Sequence, residues 1–268
     1  MELAARFGAK TPVVGMVHLP ALPGAPGYGG DFEAVREAAR RDATALVEGG
    51  VDAVMVENFG DVPFYPDDVP DHVVASMSVL LSDVRRAVDC PLGVNVLRND
   101  ATAALSIAAA VGASFVRVNV HTGARVTDQG LIEGRAHETI RLRERLDADV
   151  AVLADVDVKH SAPLGEGSFA QAFADVVERG RADAVVVSGA GTGAAVDTDR
   201  LAEAVAVRRT LDESPPIFVG SGVTPENVAG LLETADGVIV GTALKVDRRT
   251  TNPVDPENVA SLVEAVRG

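Results

Sequence analysis

Three observations predict a single (β/α)8 TIM barrel. Eight short apolar runs, most of them rich in valine, alternate with eight amphipathic stretches rich in Ala, Arg and Glu. Runs of this kind, bounded by polar sequence, read as strands of a parallel sheet buried on both faces, with the amphipathic stretches as crossover helices. The 268 residues of the chain match the size at which eight βα units close on themselves, about 250 residues. Polar side chains also collect at the C-terminal ends of the runs, the end at which this fold carries its sites. A doubly wound open sheet is the alternative arrangement of the same elements.

The strands are expected at Val13–Leu19, Ala53–Phe59, Leu92–Arg98, Phe115–Val120, Val150–Lys159, Ala184–Gly189, Ile217–Gly220 and Gly237–Gly241. The helices fall between them, near Phe32–Glu48, Asp71–Val88, Thr102–Val111, His137–Leu146, Phe169–Arg179, Arg200–Leu211 and Pro225–Glu233, with a last one near Pro256–Val266. Thr224-Pro225-Glu226 joins a capping hydroxyl, a first-turn proline and an early acid, a helix-start signature that Asp255-Pro256-Glu257 repeats. Residues 20–30 are too rich in Pro and Gly for helix or strand. A loop of this kind is expected to act as a lid over the barrel mouth. No linker, low-complexity tract or repeat divides the chain, so residues 1–268 are read as one domain.

Composition narrows the function classes. The formal charge is −15, from 39 acidic and 24 basic residues, which repels nucleic acid and anionic membranes. The excess of aspartate over a near-absence of lysine is the composition of proteins that work in concentrated salt. No uncharged apolar run approaches the roughly 20 residues needed to span a bilayer, and the N-terminal residues lack signal-peptide character. Cys90 is the single cysteine, which rules out an internal disulfide and fits a reducing cytoplasm. Beside Pro91 it reads as a small buried hydrophobe. A homo-oligomer is the default expectation for such a barrel.

The segment Val150–His160 carries the strongest chemical signal. Side chains alternate along a strand, so Asp155, Asp157 and Lys159 are expected on one face. Charges at the end of a buried strand are costly unless paired or used. With only three lysines in the chain (Lys10, Lys159 and Lys245), Lys159 reads as functional, a structural ion pair being the plain alternative. Other strand ends carry His18, Glu57 with Asn58, Asn95 with Arg98, and Arg117 with Asn119, followed by His121. Together these read as a convergent polar mouth. His18, Glu57, Asp155, Asp157 and Lys159 are the catalytic candidates. Asn58, Asn95, Arg98, Arg117 and Asn119 are the substrate-binding ones.

A glycine-rich group is the second signal. Ser188, Gly189, Gly191 and Thr192 follow the sixth strand, Gly220, Ser221 and Gly222 the seventh, and Gly241 with Thr242 the eighth. Glycines let backbone N–H groups approach an anion, and loops seven and eight of this fold frequently hold a phosphate. Tight βα turns would want the same residues. There is no P-loop, dinucleotide fingerprint or Gly-x-Ser-x-Gly elbow. No cofactor is expected: the five histidines show no paired spacing, although Glu57 or the aspartates are hard oxygen donors of the kind that hold Mg²⁺.

The stretches Gly15–Gly24, Val56–Phe64, Gly93–Asp100, Arg117–Val120, Thr127–Gly134 and Ala154–His160 together resemble the BtpA/SgcQ family. The resemblance implies the barrel. It brings no catalytic roles, and it links the chain to proteins associated with photosystem I accumulation in cyanobacteria and with a sugar-uptake gene cluster in enteric bacteria.

From the residues themselves, the preferred function is an enzyme acting on a small phosphorylated, sugar-like anion by isomerase or lyase chemistry. Asp155 or Asp157 serves as base and His18 or Glu57 as partner acid. Neighbouring carboxylates favour the charged form of Lys159, so it is expected to stabilise an oxyanion as an ammonium instead of forming a Schiff base. A nucleosidase or glycosyl-transfer enzyme, and a non-catalytic assembly or stability factor, are the alternatives.

Overall fold

Alternation along the valine-rich runs sorts their side chains into an inward and an outward set, and the computed structural model shows both sets buried. It describes residues 1–158, 160–165, 167–189 and 197–268. The strands are β1 (Val13–His18), β2 (Ala53–Glu57), β3 (Leu92–Asn95), β4 (Phe115–Val118), β5 (Ala124–Thr127), β6 (Gly130–Glu133), β7 (Ala151–Asp155), β8 (Ser161–Pro163), β9 (Ala184–Val187), β10 (Ile217–Val219) and β11 (Gly237–Val240). The helices are α1 (Leu3–Phe7), α2 (Phe32–Glu48), α3 (Asp71–Ala87), α4 (Ala101–Val111), α5 (Ala136–Arg145), α6 (Phe169–Ala174), α7 (Thr198–Arg208), α8 (Val228–Leu232) and α9 (Pro256–Arg267).

Eight of these strands form a closed parallel barrel in the order β1-β11-β10-β9-β7-β4-β3-β2. Closure leaves no sheet edge unpaired. The inward set at the bottom and middle is apolar, including Val14, Met16, Met55, Leu153, Val186 and Ile239. Phe7 of α1 plugs the bottom, with its ring 5.2 Å from Phe115 and 5.7 Å from Phe218. Two steps further the inward positions turn polar on six strands (His18, Glu57, Asn95, Arg117, Asp155 and Ser188) and become glycine on β10 and β11 (Gly220 and Gly241), and this layer is the floor of the site. The outward set packs under the helices.

Helix boundaries follow the capping chemistry. Asp255 accepts the Glu257 N–H and sets α9 with Pro256 in its first turn, and Asp100 caps α4 through the Ala103 N–H at 2.7 Å. The signature at Thr224-Pro225-Glu226 yields only a turn before the five-residue α8. There the Asn227 side chain takes the Thr224 N–H at 2.9 Å and donates to Gly222 O at 2.8 Å.

Three features depart from expectation. The fifth barrel strand ends at Asp155 instead of running to Lys159, because its last barrel partner is Val186 and the chain then turns away to form β8. β8 joins β5 and β6 in a three-stranded antiparallel sheet, built by excursions after β4 and β7 where no further strand is expected from the sequence. The stretch 20–30 is bound down beside the next loop: Leu22 is fully buried, its N–H donates to Asp61 Oδ1 at 2.8 Å, and Gly60 N–H donates to Leu19 O at 3.0 Å. A Cβ on Gly60 would lie 2.3 Å from Ala21 N, so only glycine allows this contact. The stretch 20–30 contributes none of the described residues that line the mouth cavities; the tip of the β5–β6 hairpin contributes instead.

Lys245 is also structural. It is fully buried, its Nζ donates to Asp42 Oδ2 at 3.2 Å, and it ties α2 to the segment after β11. Burial pulls its pKa down against the opposing pull of Asp42. No helix among the described residues is long and apolar enough to cross a membrane.

Candidate active site

Two cavities open at the C-terminal end of the barrel and share one wall. The first, about 230 Å³, is lined by the loops after β10 and β11, with Gly220, Ser221, Gly222, Gly241, Thr242 and Arg248. The second, about 400 Å³, lies under the hairpin, with Phe59, Phe64, Arg98, Asn119 and Gln129 among its lining. His18, Glu57 and Arg117 line both.

Strand register explains the shared wall. His18 pairs with Glu57 across β1 and β2, and Glu57 with Asn95 across β2 and β3, so all three fall in the inward polar layer. His18 Nε2 lies 3.8 Å from Glu57 Oε1, and its ring rests against Phe59 at 4.9 Å. A Cβ on Gly241 would stand 2.7 Å from His18 Cε1, so the glycine at the end of β11 makes room for the imidazole. Asn95 is fully buried, and neither its Oδ1 nor its Nδ2 has a hydrogen-bond partner among the described residues.

Arg117 and Asp155 form the best-defined ion pair of the mouth. Arg117 Nε and Nη2 donate to the two Asp155 oxygens at 2.8 Å each. Ser188 Oγ donates to Asp155 Oδ1 at 3.1 Å and accepts from Arg117 Nη2 at 3.3 Å. Burial alone would lower the Arg117 pKa, but Asp155 beside it, helped by the charge of Glu57, leaves it raised. A Cβ on Gly220 would meet Ser188 Oγ at 2.7 Å and Arg117 Nη2 at 3.0 Å. Asp155 thus holds a cation in place with both of its oxygens engaged. Arg98, brought over the mouth by the loop after β3, is pulled down by burial, against the opposing pull of Asp155, Glu57 and Asp128.

Several candidates sit elsewhere. Asp157 lies beyond the end of β7, so strand alternation no longer governs it. It pairs with Arg125 of the hairpin at 2.8 Å and lines an outer groove next to α6. Asn58 follows the last residue of β2 and lines neither mouth cavity. Its Oδ1 accepts the Leu97 N–H at 2.7 Å and its Nδ2 donates to Asp61 at 3.0 Å, which fixes the loop that presents Arg98. His121 Nε2 contacts Gly180 O at 2.8 Å, away from the mouth, and burial lowers its pKa. The Gly189 N–H is spent on Ser221 Oγ at 2.7 Å. Lys159, Gly191 and Thr192 lie outside the described residues. Cys90 is partly buried, and burial pushes its thiol up to about 11, consistent with an inert hydrophobe.

The reading from sequence missed Phe59, Phe64, Asp128, Gln129, His160 and Arg248, all of which line the cavities. The hairpin had one local signal: Asp128-Gln129-Gly130 between two short alternating runs, with Gly130 at φ 101° where a glycine is favoured. Arg248 reaches back from the segment after β11 to Glu226 Oε1 at 3.2 Å and so links the two loops of the first cavity. Hydrogen bonds from Thr224, its own backbone and Arg248 hold the Glu226 carboxyl down to about 2. Among the described residues no group of three or more His, Cys, Asp or Glu side chains is placed to hold a metal ion.

Fold and site together define a (β/α)8 barrel protein with a charged, two-chambered mouth. The chain belongs to the BtpA family, whose model matches residues 9–268. It is 53% identical over 259 residues to an uncharacterized protein of Thermococcus kodakarensis, a match covering 96% of each chain. It is 45% identical over 266 residues to the Photosystem I biogenesis protein BtpA of Synechocystis sp., covering 99% of this chain and 91% of that one. Among solved structures, the native KDPGal structure aligns with a TM-score of 0.57 at 16% identity, covering 97% of this chain and 96% of that one. N-(5'-phosphoribosyl)anthranilate isomerase from Pyrococcus furiosus aligns with a TM-score of 0.57 at 14% identity, covering 96% and 98%. At such identities the likeness speaks for the fold alone.

Proposed function

We propose that the protein is an enzyme acting on a small phosphorylated, sugar-like metabolite by acid/base chemistry of the isomerase or lyase type. The observation that carries this reading is the His18–Glu57 pair, 3.8 Å apart on the wall common to both cavities. A carboxylate and an imidazole at that spacing can exchange a proton through a substrate lying between the chambers. The glycine-lined cavity, with Arg248 at its rim, suits a phosphate. Glu57 takes a proton from a carbon next to a carbonyl, and the electron pair moves to the carbonyl oxygen. Lys159, which follows the fifth barrel strand in the sequence, is assigned to stabilise that oxyanion as an ammonium. His18 returns a proton to the neighbouring carbon or oxygen. Arg117, held by Asp155 and Ser188, positions charge beneath the reacting atoms.

The test is deuterium exchange. In D₂O, NMR of a panel of aldose and ketose phosphates is expected to show exchange at one carbon with the wild type and a loss of at least about 100-fold with Glu57→Gln. Equal exchange by both proteins, or none with any phosphate ester, would refute the reading. Borohydride trapping of an adduct on Lys159 would replace the ammonium role with a Schiff base. The relationship to a photosystem I biogenesis protein favours a second reading as an assembly factor. A cellular phenotype unaffected by Glu57→Gln in a folded protein would select it.

A further inference from the structure

The cavity under the hairpin offers more apolar surface than a bare sugar phosphate uses. The chain holds only eight phenylalanines and no tryptophan, yet Phe59 and Phe64 both line this cavity, next to Leu97. The other six phenylalanines are packed in the core or against it. The wall is also fixed in advance. Asn58 Oδ1 holds the Leu97 N–H at 2.7 Å, and Tyr65 O holds the Arg98 N–H at 2.9 Å. A preformed surface of this kind lowers the ordering cost of binding.

Two other lining residues supply acceptors without donors. Asn119, from the end of β4 and 4% exposed, and Gln129, from the hairpin tip, each carry a buried side-chain oxygen with no hydrogen-bond partner among the described residues. Leaving such a group unsatisfied is costly, so a pair of them on one cavity marks where the N–H groups of a ligand belong.

We infer that this cavity binds a planar, nitrogen-bearing ring, so that the substrate is a phosphorylated sugar carrying such a ring. The ring face lies on Phe59 and Phe64, its N–H edge meets Asn119 and Gln129, and the sugar bridges to the phosphate cavity across His18 and Glu57. A second sugar would satisfy the two oxygens through its hydroxyls but lay a smaller apolar face on the phenylalanines than a planar ring does. The inference rests on the phosphate reading above and names the substrate class for the same site.

Isothermal titration with ribose 5-phosphate, adenosine 5'-monophosphate, uridine 5'-monophosphate and trehalose 6-phosphate tests it. At least one ring-bearing ester is expected to bind tenfold or more tightly than ribose 5-phosphate. Phe64→Ala and Gln129→Ala are each expected to cut that gain at least fivefold and to leave ribose 5-phosphate affinity within twofold. Ring-bearing esters binding no tighter than ribose 5-phosphate would overturn the inference and leave the phosphate reading standing. Trehalose 6-phosphate binding tightest would overturn it in favour of a second sugar. If ribose 5-phosphate and every other ester fail to bind, both readings fall.

Discussion

Asp155→Ala separates a positioning residue from a base. In the native protein both Asp155 oxygens are committed to Arg117, whose own side chain is 3% exposed. Removing the carboxylate leaves the guanidinium buried with Ser188 Oγ at 3.3 Å as its remaining partner from this cluster. Breaking a buried pair from one side costs about 3–5 kcal/mol. For a chain of this size each kcal/mol moves the melting temperature by about 2–4 °C, so a fall on the order of 10 °C is expected. Replacing both partners by apolar residues, as in Arg117→Met with Asp155→Leu, removes the stranded charge and should recover most of that loss. Urea denaturation of wild type, Arg117→Met, Asp155→Leu and the double mutant gives the coupling directly. A cost below about 1 kcal/mol for Asp155→Ala, or a double mutant as unstable as the sum of the singles, would refute the assignment.

Gly241, at the mouth, and His121, away from it, each give a further prediction. Gly241→Ala places a methyl 2.7 Å from His18 Cε1. It should cut deuterium exchange at least tenfold at a stability cost of about 1–3 kcal/mol, and unchanged exchange would show that His18 takes no part. His121 is held neutral by burial, so its proton is bound more tightly in the unfolded chain. Its contribution is therefore complete above the unfolded value near 6.5, and stability is lost as pH falls from there towards the lower folded value. Melting temperatures of wild type and His121→Gln at pH 7.5 and pH 5 should show a smaller acid loss in the variant; parallel losses would contradict it.

Much of the site was legible because strand parity is strict. His18, Glu57, Asn95, Arg117, Asp155 and Ser188 were all placed at strand ends, and all fall at inward positions or beside the mouth. Asn58 turns to Leu97 and Asp61 instead of the mouth, the first a contact across 39 positions that its sequence neighbourhood does not report. Asp157 was misplaced because a run of alternating valines and charges continues past the last residue that has a barrel partner. Strand length in a barrel is set by neighbours, here Val186 of β9, and a single run does not report them. The hairpin was missed for a related reason. β5 is four residues long and partly exposed on both faces, so it lacks the apolar density by which the barrel strands were recognised. The loop 20–30 looked like a lid by composition, yet Leu22 and Gly60 bind it to its neighbour through contacts that involve residues about 39 positions away.

The central claim is that a phosphorylated substrate spans the two cavities at His18 and Glu57. A crystal structure of the Glu57→Gln protein, soaked with an ester that binds the wild type, tests it most directly. The account predicts phosphorus against Gly222 and Thr242, with the carbon chain passing between residue 57 and His18. An empty mouth at saturating ester, or a phosphate held elsewhere on the surface, would contradict it.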